Sequence, residues 1–310
     1  MSTKQERPSI AVAICTYQRN GQLTVLLNRL IECAAYLGQR AAVGVVVVDD
    51  SKDGQAEAVT KAFADRFELG IAYRRSGKQN ISLARNLAIE TACELADWTA
   101  MTDDDCEPTI PWLAALLDTQ AATSADCLTG TMVRRVPDGS PKWLTDEPFL
   151  QLGQHNPDEG ADLITAATFN SMISSRWLKQ HPDVRFQPSL GVIGGEDMVF
   201  FRAAHAAGLR ICFSKRAVVH EDEPASRANL AYQLRLFLWH GNSSYVTSTH
   251  NGVTPAKMFL HGAKSMVLAL GRPIGRLARG RPPQLRYALA LTLHAAGKLV
   301  GPLGVRIDHK

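Results

Sequence analysis

The stretch Val43-Gly44-Val45-Val46-Val47-Val48-Asp49-Asp50 indicates the architecture of this protein. Four consecutive β-branched residues favour a strand that is covered on both faces, as the strands of a parallel sheet are. Two aspartates follow at once, which puts polar side chains at the carboxyl end of a buried strand. Open parallel sheets bind their ligands at those ends, so we expect a polar site there.

Three further apolar runs predict strands, at residues 9–15, 71–74 and 98–102. Apolar residues at helical spacing between them predict helices, over residues 23–37, 55–67 and 82–95. This alternation of strand and helix is typical of a parallel sheet with right-handed crossovers. Since the carboxyl ends of parallel strands lie at one edge, we expect three polar clusters to meet there, at residues 16–19, 49–51 and 103–105.

The alternation loosens after residue 113, although further elements follow. We predict strands at residues 127–134, 166–173, 211–213 and 217–219. Helices are predicted over residues 174–179, 194–207 and 230–238. We interpret residues 136–160, which are rich in Pro, Asp and Gly, as a long loop near the site. The predicted fold class is α/β, with a mixed, mainly parallel sheet flanked by helices and a helical C-terminal extension.

The composition excludes several classes of protein. The net charge of +4 over 310 residues is too small to indicate a nucleic-acid partner. No apolar run reaches the roughly 18–20 residues that span a bilayer, and residues 1–7 have no apolar signal segment. The six cysteines are scattered, without a CxxC pair, as expected for reduced thiols. We therefore expect a cytoplasmic protein, and the sequence leaves an oligomer open.

The last part of the chain has a different character. Residues 257–310 contain ten Lys or Arg and one acid, Asp308, beside short apolar stretches. Such a basic, partly amphipathic segment is typical of peripheral contact with the inner face of the cell membrane. Packing of these helices on the protein, or an oligomer contact, is the alternative.

Three aspartates, Asp103, Asp104 and Asp105, directly follow a predicted strand. Clustered carboxylates repel one another, so a protein keeps them together with a cation or with extensive hydrogen bonding. Their oxygen ligands suit Mn²⁺ or Mg²⁺, which also bind phosphate oxygens. An acidic turn in solvent is the alternative, but the position after an apolar strand favours a metal site.

Glu196 and Asp197 follow two glycines at the predicted start of a helix. Acids are favoured at such a terminus by its free amides and its dipole, so a structural role is one alternative. Glycines also let a substrate approach the backbone closely. A carboxylate at that place can deprotonate an acceptor hydroxyl.

Three other side chains are candidates for the same site. Lys78 and Arg85 lie around the third loop and the helix that follows it, where a cation can bind a diphosphate. His220 ends a predicted strand and can supply a further metal ligand. Each of these side chains has an alternative role outside the site. The two cations are alternatively ordinary surface residues, and the histidine alternatively has a structural role.

Five segments together carry a resemblance to a known family. They are AICTYQR at 13–19, VVVDDS at 46–51, ISLARN at 81–86, DDDC at 103–106 and GGED at 194–197. In this order and spacing, the chain resembles the GT-A-fold glycosyltransferases of family 2, in particular bacterial exopolysaccharide enzymes of the succinoglycan type. The resemblance covers residues 8–220. Each motif is weak alone, and the ordered set is specific.

The resemblance implies a GT-A, Rossmann-like nucleotide-binding fold. Residues 1–222 would form the catalytic domain, with a nucleotide-sugar half at about 8–105 and an acceptor half at about 106–222, and residues 223–310 the basic helical extension. The activity implied is an inverting, metal-dependent transfer from a nucleoside-diphosphate sugar, UDP-linked in most members, to a hydroxyl. The acceptor implied is a glycan or a lipid-linked precursor of the cell envelope.

The resemblance also implies roles for individual residues. Donor binding would fall to Thr16, Tyr17, Arg19, Asp50, Lys78, Arg85, Asp103 and Asp104, with Asp50 on the base and the cations on the diphosphate. Asp103 and Asp105 would hold Mn²⁺ or Mg²⁺, and His220 is a candidate third metal ligand from its place at a strand end alone. Asp197 would be the general base and Glu196 its neighbour at the acceptor or sugar. Residues 233–237 (QLRLF) lack the QxxRW motif of processive synthases, which favours single additions.

Two other functions remain as alternatives. A nucleotidyltransferase would share a similar sheet, but it usually begins with a Gly-rich phosphate loop, which residues 16–19 do not form. A catalytically silent nucleotide-sugar-binding scaffold would be favoured by degraded acidic motifs, and both acidic motifs are intact here. The set of motifs therefore favours a glycosyltransferase.

Overall fold

The first half of the protein forms the parallel sheet that the sequence predicts. The computed structural model describes residues 7–151, 157–192 and 194–307. Its first four strands are β1 (Ser9–Thr16), β2 (Ala42–Asp49), β3 (Ile71–Arg75) and β4 (Trp98–Met101). They pair in parallel in the order β3-β2-β1-β4. The four predicted strands and their parallel arrangement are confirmed.

The later strands extend this sheet and make it mixed. They are β5 (Cys106–Pro108), β6 (Cys127–Arg135), β7 (Asp162–Leu163), β8 (Ser171–Ser174) and β9 (Ile211–Asp222). The sheet continues from β4 in the order β8-β6-β9-β5, and β7 pairs with β9. Strand β8 is antiparallel to β4 and β6, and β9 is antiparallel to β5 and β7.

Two strand predictions were wrong in detail. The two short strands expected at residues 211–213 and 217–219 are one continuous strand, β9, which also includes the polar residues between them. The strand expected from residue 166 begins only at Ser171, because Thr168–Asn170 form a 3₁₀ turn.

Helices cover the sheet and form the C-terminal part of the chain. Those of the described residues are α1 (Asn20–Leu37), α2 (Ala56–Lys61), α3 (Ile81–Leu95), α4 (Trp112–Thr123), α5 (Trp143–Asp146), α6 (Ser175–Gln180), α7 (Glu196–Ala206), α8 (Leu230–His250), α9 (Pro255–Leu277) and α10 (Leu285–Val300). The helix predicted over residues 55–67 ends early, at Lys61. Helix α8 extends twelve residues beyond its predicted end at residue 238, through a Ser- and Thr-rich segment that resembles a loop in sequence.

The valine-rich strand is covered on both faces, as predicted. Val43, Val45 and Val47 lie in one apolar cluster with the buried leucines of α1. Val46 and Val48 lie in a second cluster with the alanines of α3. Both layers exclude solvent from β2, and its polar side chain, Asp49, stands at the carboxyl end of the strand.

The chain divides into two compact units. The first comprises Met1–Val133, His155–Val192 and Glu196–Glu221, and the second Arg134–Gln154, Ile193–Gly195 and Asp222–Lys310. In the second unit Phe149 packs edge-on against Phe237 and Tyr287, with ring centroids 5.6 and 5.4 Å apart. Much of the segment predicted as a long loop is therefore ordered by burial of Phe149, although its residues 152–156 lie outside the described part.

Candidate active site

Two of the predicted polar clusters are bonded directly to each other. Thr16, at the end of β1, donates its Oγ1–H to Oδ2 of Asp104 over 2.8 Å. Nη1 of Arg19 donates to Oδ1 of Asp104 at 2.9 Å and to Oδ2 of Asp105 at 2.7 Å. The ends of β1 and β4 are thus held together by one arginine and one hydroxyl.

The three consecutive aspartates face different surroundings. Asp104 is buried, and this burial raises the pKa of its carboxyl to about 6, although Arg19 and Thr16 partly offset the effect. Both of its oxygens are engaged by the protein. The side chains of Asp103 and Asp105 remain 36% and 26% exposed. The accessible carboxylates therefore stand in the DxD pattern, with the middle one turned into the structure.

The loop after β2 is organised by two adjacent aspartates. Asp49 is buried and accepts hydrogen bonds from the backbone N–H groups of Ser51 and Ala56, both at 2.8 Å. Oδ1 of Asp50 accepts from the N–H groups of Lys78 and Gln79, at 2.9 and 3.0 Å. Within the described chain, Oδ2 of Asp50 makes no hydrogen bond, so this oxygen is available to a ligand. The exposed ammonium of Lys78 also lacks a partner among these residues.

Tyr17 lies beside this loop and joins the first cluster to the second. Its exposed hydroxyl accepts a 2.8 Å hydrogen bond from Nε2 of Gln79. Gln18 and Gln79 have φ values of +55° and +53°, in the left-handed region that residues other than glycine rarely occupy. Such strain often marks a ligand site. The sequence analysis missed Gln79, and no signal could have found it, because glutamine is not a residue that predicts a positive φ.

Arg85 connects the acidic loop after β4 to the start of α7. Its buried guanidinium donates to Oδ1 of Asp103 at 3.2 Å and forms a very short contact with Oε1 of Glu196. Burial alone would lower the pKa of Arg85, but the charges of Asp103 and Glu196 raise it above its ordinary value. The helix containing Arg85 is thus tied to both acidic motifs. Asn86, its neighbour, has a structural role instead, since its side chain pairs with both backbone groups of Phe186.

Asp197 lies in the first turn of α7, next to Glu196. Burial raises the pKa of its carboxyl to about 6, the charge of Glu196 adds to this effect, and Arg85 partly offsets it. Oδ1 accepts a 2.7 Å hydrogen bond from the N–H of Met198. The two preceding glycines have φ values of +90° and +86°, which requires residues without a Cβ. This local arrangement presents a carboxylate with an increased affinity for protons.

His220 lies on β9, opposite Glu107 of β5, and β5 begins directly after Asp105. Its Nδ1 is buried and has no hydrogen-bond partner among the described residues. A ring nitrogen without a partner can bind a metal ion. Over the same residues, no group of three or more His, Cys, Asp and Glu side chains is placed to hold a metal ion by itself. A metal that also takes phosphate oxygens needs only one or two protein carboxylates.

The chain was compared with known protein families. The model of the family described as glycosyl transferase family 2 matches residues 11–183. This chain belongs to that family. The matched segment contains β1 to β4 and the Asp103 to Asp105 cluster, and the family and the enzyme class predicted from the sequence are both confirmed: the protein is a glycosyltransferase.

Individual relatives agree with this assignment. The chain is 30% identical over 305 residues to the succinoglycan biosynthesis protein ExoM of Rhizobium meliloti (strain 1021), covering 96% of this chain and 94% of the relative. Among solved structures it is similar to S. aureus TarS 1–349 in complex with UDP-GlcNAc, with a TM-score of 0.56, 16% identity and coverage of 96% and 92%. The chain spans 39% of a longer TarS structure.

A second solved structure supports the same fold. GalNAc-T7 with UDP, GalNAc and Mn²⁺ has a TM-score of 0.54 and 13% identity, covering 81% of this chain and 52% of that one. At such low identity, these similarities establish the fold, and the GT-A prediction is confirmed.

Proposed function

We propose that the protein transfers a sugar from a nucleoside-diphosphate sugar, UDP-linked, to a hydroxyl acceptor, with metal assistance and inversion of the anomeric centre. The observation that carries this proposal is the placement of Asp103, Glu196 and Asp197 around the buried guanidinium of Arg85, with Asp105 paired to Arg19. Two structural neighbours, TarS with bound UDP-GlcNAc and GalNAc-T7 with bound UDP, support the choice of donor.

The donor would lie over the ends of β1, β2 and β4. Oδ2 of Asp50 is free to accept a hydrogen bond from the base, and the exposed ring of Tyr17 lies beside the same loop. Lys78 supplies an unpaired ammonium for the diphosphate. Thr16, Arg19 and Asp104 contribute by fixing the positions of these loops, because their polar groups are bonded to one another.

A divalent cation, Mn²⁺ or Mg²⁺, would be held by the accessible carboxylates of Asp103 and Asp105 together with phosphate oxygens of the donor. His220, whose Nδ1 has no partner among the described residues, would join them only when donor binding rearranges the site. When bound, the cation supplies positive charge that stabilises the leaving nucleoside diphosphate. The buried charge of Arg85 would add to this stabilisation. Its ion pairs hold Asp103 and Glu196 in place.

Asp197 would take the proton of the attacking hydroxyl. Its raised pKa brings its basicity closer to neutral pH, where a general base is most effective. Glu196 is held by Arg85, so it orients the start of α7 beside the acceptor. The name of the relative from Rhizobium supports an acceptor that is a growing polysaccharide or its lipid-linked precursor.

The test is turnover of purified protein with a panel of UDP-, GDP- and dTDP-sugars, with Mn²⁺ or with EDTA. We expect donor hydrolysis or transfer with a UDP-sugar, which EDTA and Asp105→Ala both abolish. Asp65→Ala is the matched control, since Asp65 is an exposed aspartate without a hydrogen bond or ion pair to any described residue. Full activity in EDTA would exclude the metal, and failure to bind any nucleotide-sugar would contradict the function.

A further inference from the structure

Helix α9 exposes a continuous apolar stripe to solvent. The buried residues of α9, Met258, Gly262 and Ala269, lie on the other side of the helix. Leu260, Val267, Leu270, Ile274 and Leu277 are all between 60% and 72% exposed. Their spacing of seven, three, four and three residues places them on one side of the helix. Apolar side chains in such a row are more than the scattered hydrophobic residues of an ordinary surface.

Positive charges border this stripe. Lys257 precedes Leu260 by three residues and Lys264 follows it by four, so both lie next to it on the helix surface. Arg279 and Arg281 follow the end of the helix and are exposed. None of these four side chains has an ion-pair partner among the residues that the structure describes. The cations are therefore available to an external anionic group.

The surrounding sequence lacks negative charge altogether. Residues 224–307 contain eleven Lys or Arg and no Asp or Glu. A second copy of the same face would bring like charges together without any carboxylate to pair them, which disfavours self-association. An anionic bilayer instead offers phosphates to the cations and acyl chains to the aliphatic side chains.

We propose that this face of α9 binds the surface of a membrane containing anionic lipids. The helix would lie in the plane of the interface, with the apolar stripe among the acyl chains and Lys257 and Lys264 at the phosphates. No helix in the described part of the chain is long and apolar enough to cross a bilayer, so the contact is peripheral. This proposal goes beyond the glycosyl transfer and does not depend on it, because lipid binding is measured without substrate.

The experiment uses the full chain and sedimented vesicles. One set contains phosphatidylglycerol and phosphatidylcholine, and the other contains phosphatidylcholine only. We expect binding to the anionic set that weakens as salt is added. Val267→Gln should reduce the partition coefficient about tenfold, because the exposed valine that would enter the acyl chains is replaced by a polar side chain. Val25→Gln makes the same change at a 60% exposed position of α1 and should have no effect.

A second pair of variants tests the charge. Lys264→Glu should weaken binding about tenfold at low salt and less at high salt. Lys215→Glu, at an exposed lysine of β9, should leave it unchanged. Absence of binding at low salt, or equal effects of variant and control, would overturn the proposal. So would a dimer in analytical ultracentrifugation that Val267→Gln dissociates, since this result would assign the face to a second copy.

Discussion

Asp197 owes its chemical character to its surroundings. Burial and the neighbouring Glu196 raise the pKa of its carboxyl to about 6. Asp197→Asn keeps the shape of the side chain and removes its basicity. We expect turnover to fall by about 10²–10⁴-fold, the usual contribution of a general base. Binding of UDP, measured by calorimetry, should change little because the base acts on the acceptor.

The control for this variant is Asp183→Asn, at an exposed aspartate without a described partner. It should retain the full turnover of the parent protein. A collapse of donor affinity in Asp197→Asn would assign Asp197 to donor binding or to the fold, and would contradict its role as the base.

The same shift in pKa predicts how the rate depends on pH. A general base acts only when it is ionised. Because the pKa of Asp197 is raised, the enzyme should lose activity at a higher pH than it would with an ordinary aspartate. Turnover under saturating substrates should increase as pH rises through about 6 and then become constant. Asp197→Asn should abolish this increase in the residual rate. A profile that is flat down to pH 4.5, about 1.5 units below that pKa, would contradict the assignment.

The Asp103 to Asp105 cluster shows how far individual residues could be predicted. Its position after an apolar strand identified it from sequence. The different surroundings of its three members could not be identified, because they depend on Thr16 and Arg19, which are more than 80 residues away in the chain. The same holds for Arg85 and Glu196, which are separated by 111 residues. Contacts between residues so far apart in the chain can be predicted only once the order of the strands in the sheet is known.

Helices α8 and α10 approach each other at two glycines. A Cβ on Gly241 would lie 1.9 Å from the carbonyl oxygen of His294, and one on Gly297 would lie 2.2 Å from that of Leu238. Asn242 reinforces the same crossing by donating to the carbonyl of Gly297 at 3.3 Å. The backbones touch because neither glycine has a side chain, so this crossing does not tolerate a methyl group.

Gly297→Ala should therefore destabilise the fold. We expect a decrease of about 1–3 kcal/mol in the free energy of unfolding, which is typical of overpacking at a rigid contact. Gly271→Ala makes the same change in α9, where no atom lies within 4 Å of the added Cβ. This variant should increase the free energy of unfolding by about 0.5–1 kcal/mol, since alanine is the better helix former. Urea denaturation measures both, and equal effects of the two variants would contradict the close crossing.

Strands and helices were predicted correctly where the pattern of apolar residues alone determines the secondary structure. Strands β1 and β2 are apolar throughout because both faces are covered, and their sequences predict this. Strand β9 contains Ser214, Lys215 and Arg216 in the middle, so its pattern appeared to be two short strands. Helix α8 includes Gly241 and a run of Ser and Thr, which disfavour a helix in isolation. Its helical state depends on the contact with α10, which the local sequence does not encode.

Charge is distributed unevenly over the molecule. The net charge of +4 conceals a carboxylate-rich edge in the first unit and a segment of 84 residues, 224–307, without any acid. The carboxylate-rich edge suits a metal cation with its diphosphate, and the acid-free segment suits an anionic surface. The proposed transfer to a lipid-linked acceptor would use both properties, and the two proposals can be tested independently.

Binding of donor and metal should stabilise the whole protein. The candidate ligands come from β1, β2, β4, α3, α7 and β9, so they form a site only in the folded chain. A ligand at 100 times its dissociation constant adds about 2.7 kcal/mol to the free energy of unfolding. For a chain of 310 residues that corresponds to an increase in Tm of about 4 °C. We expect this increase with UDP and Mn²⁺ together in differential scanning calorimetry.

The part of the Tm increase that depends on metal tests which side chains bind the metal. EDTA should reduce the increase to that of UDP alone, because the diphosphate then repels Asp103 and Asp105 instead of sharing a cation with them. Asp105→Ala should show the same reduced shift with or without Mn²⁺, whereas Asp65→Ala should behave like the parent protein. If UDP raises the Tm equally in EDTA and in Mn²⁺, the two exposed carboxylates do not hold a metal at the diphosphate. Their function would then be confined to the ion pairs with Arg19 and Arg85, which the folded chain forms without any ligand.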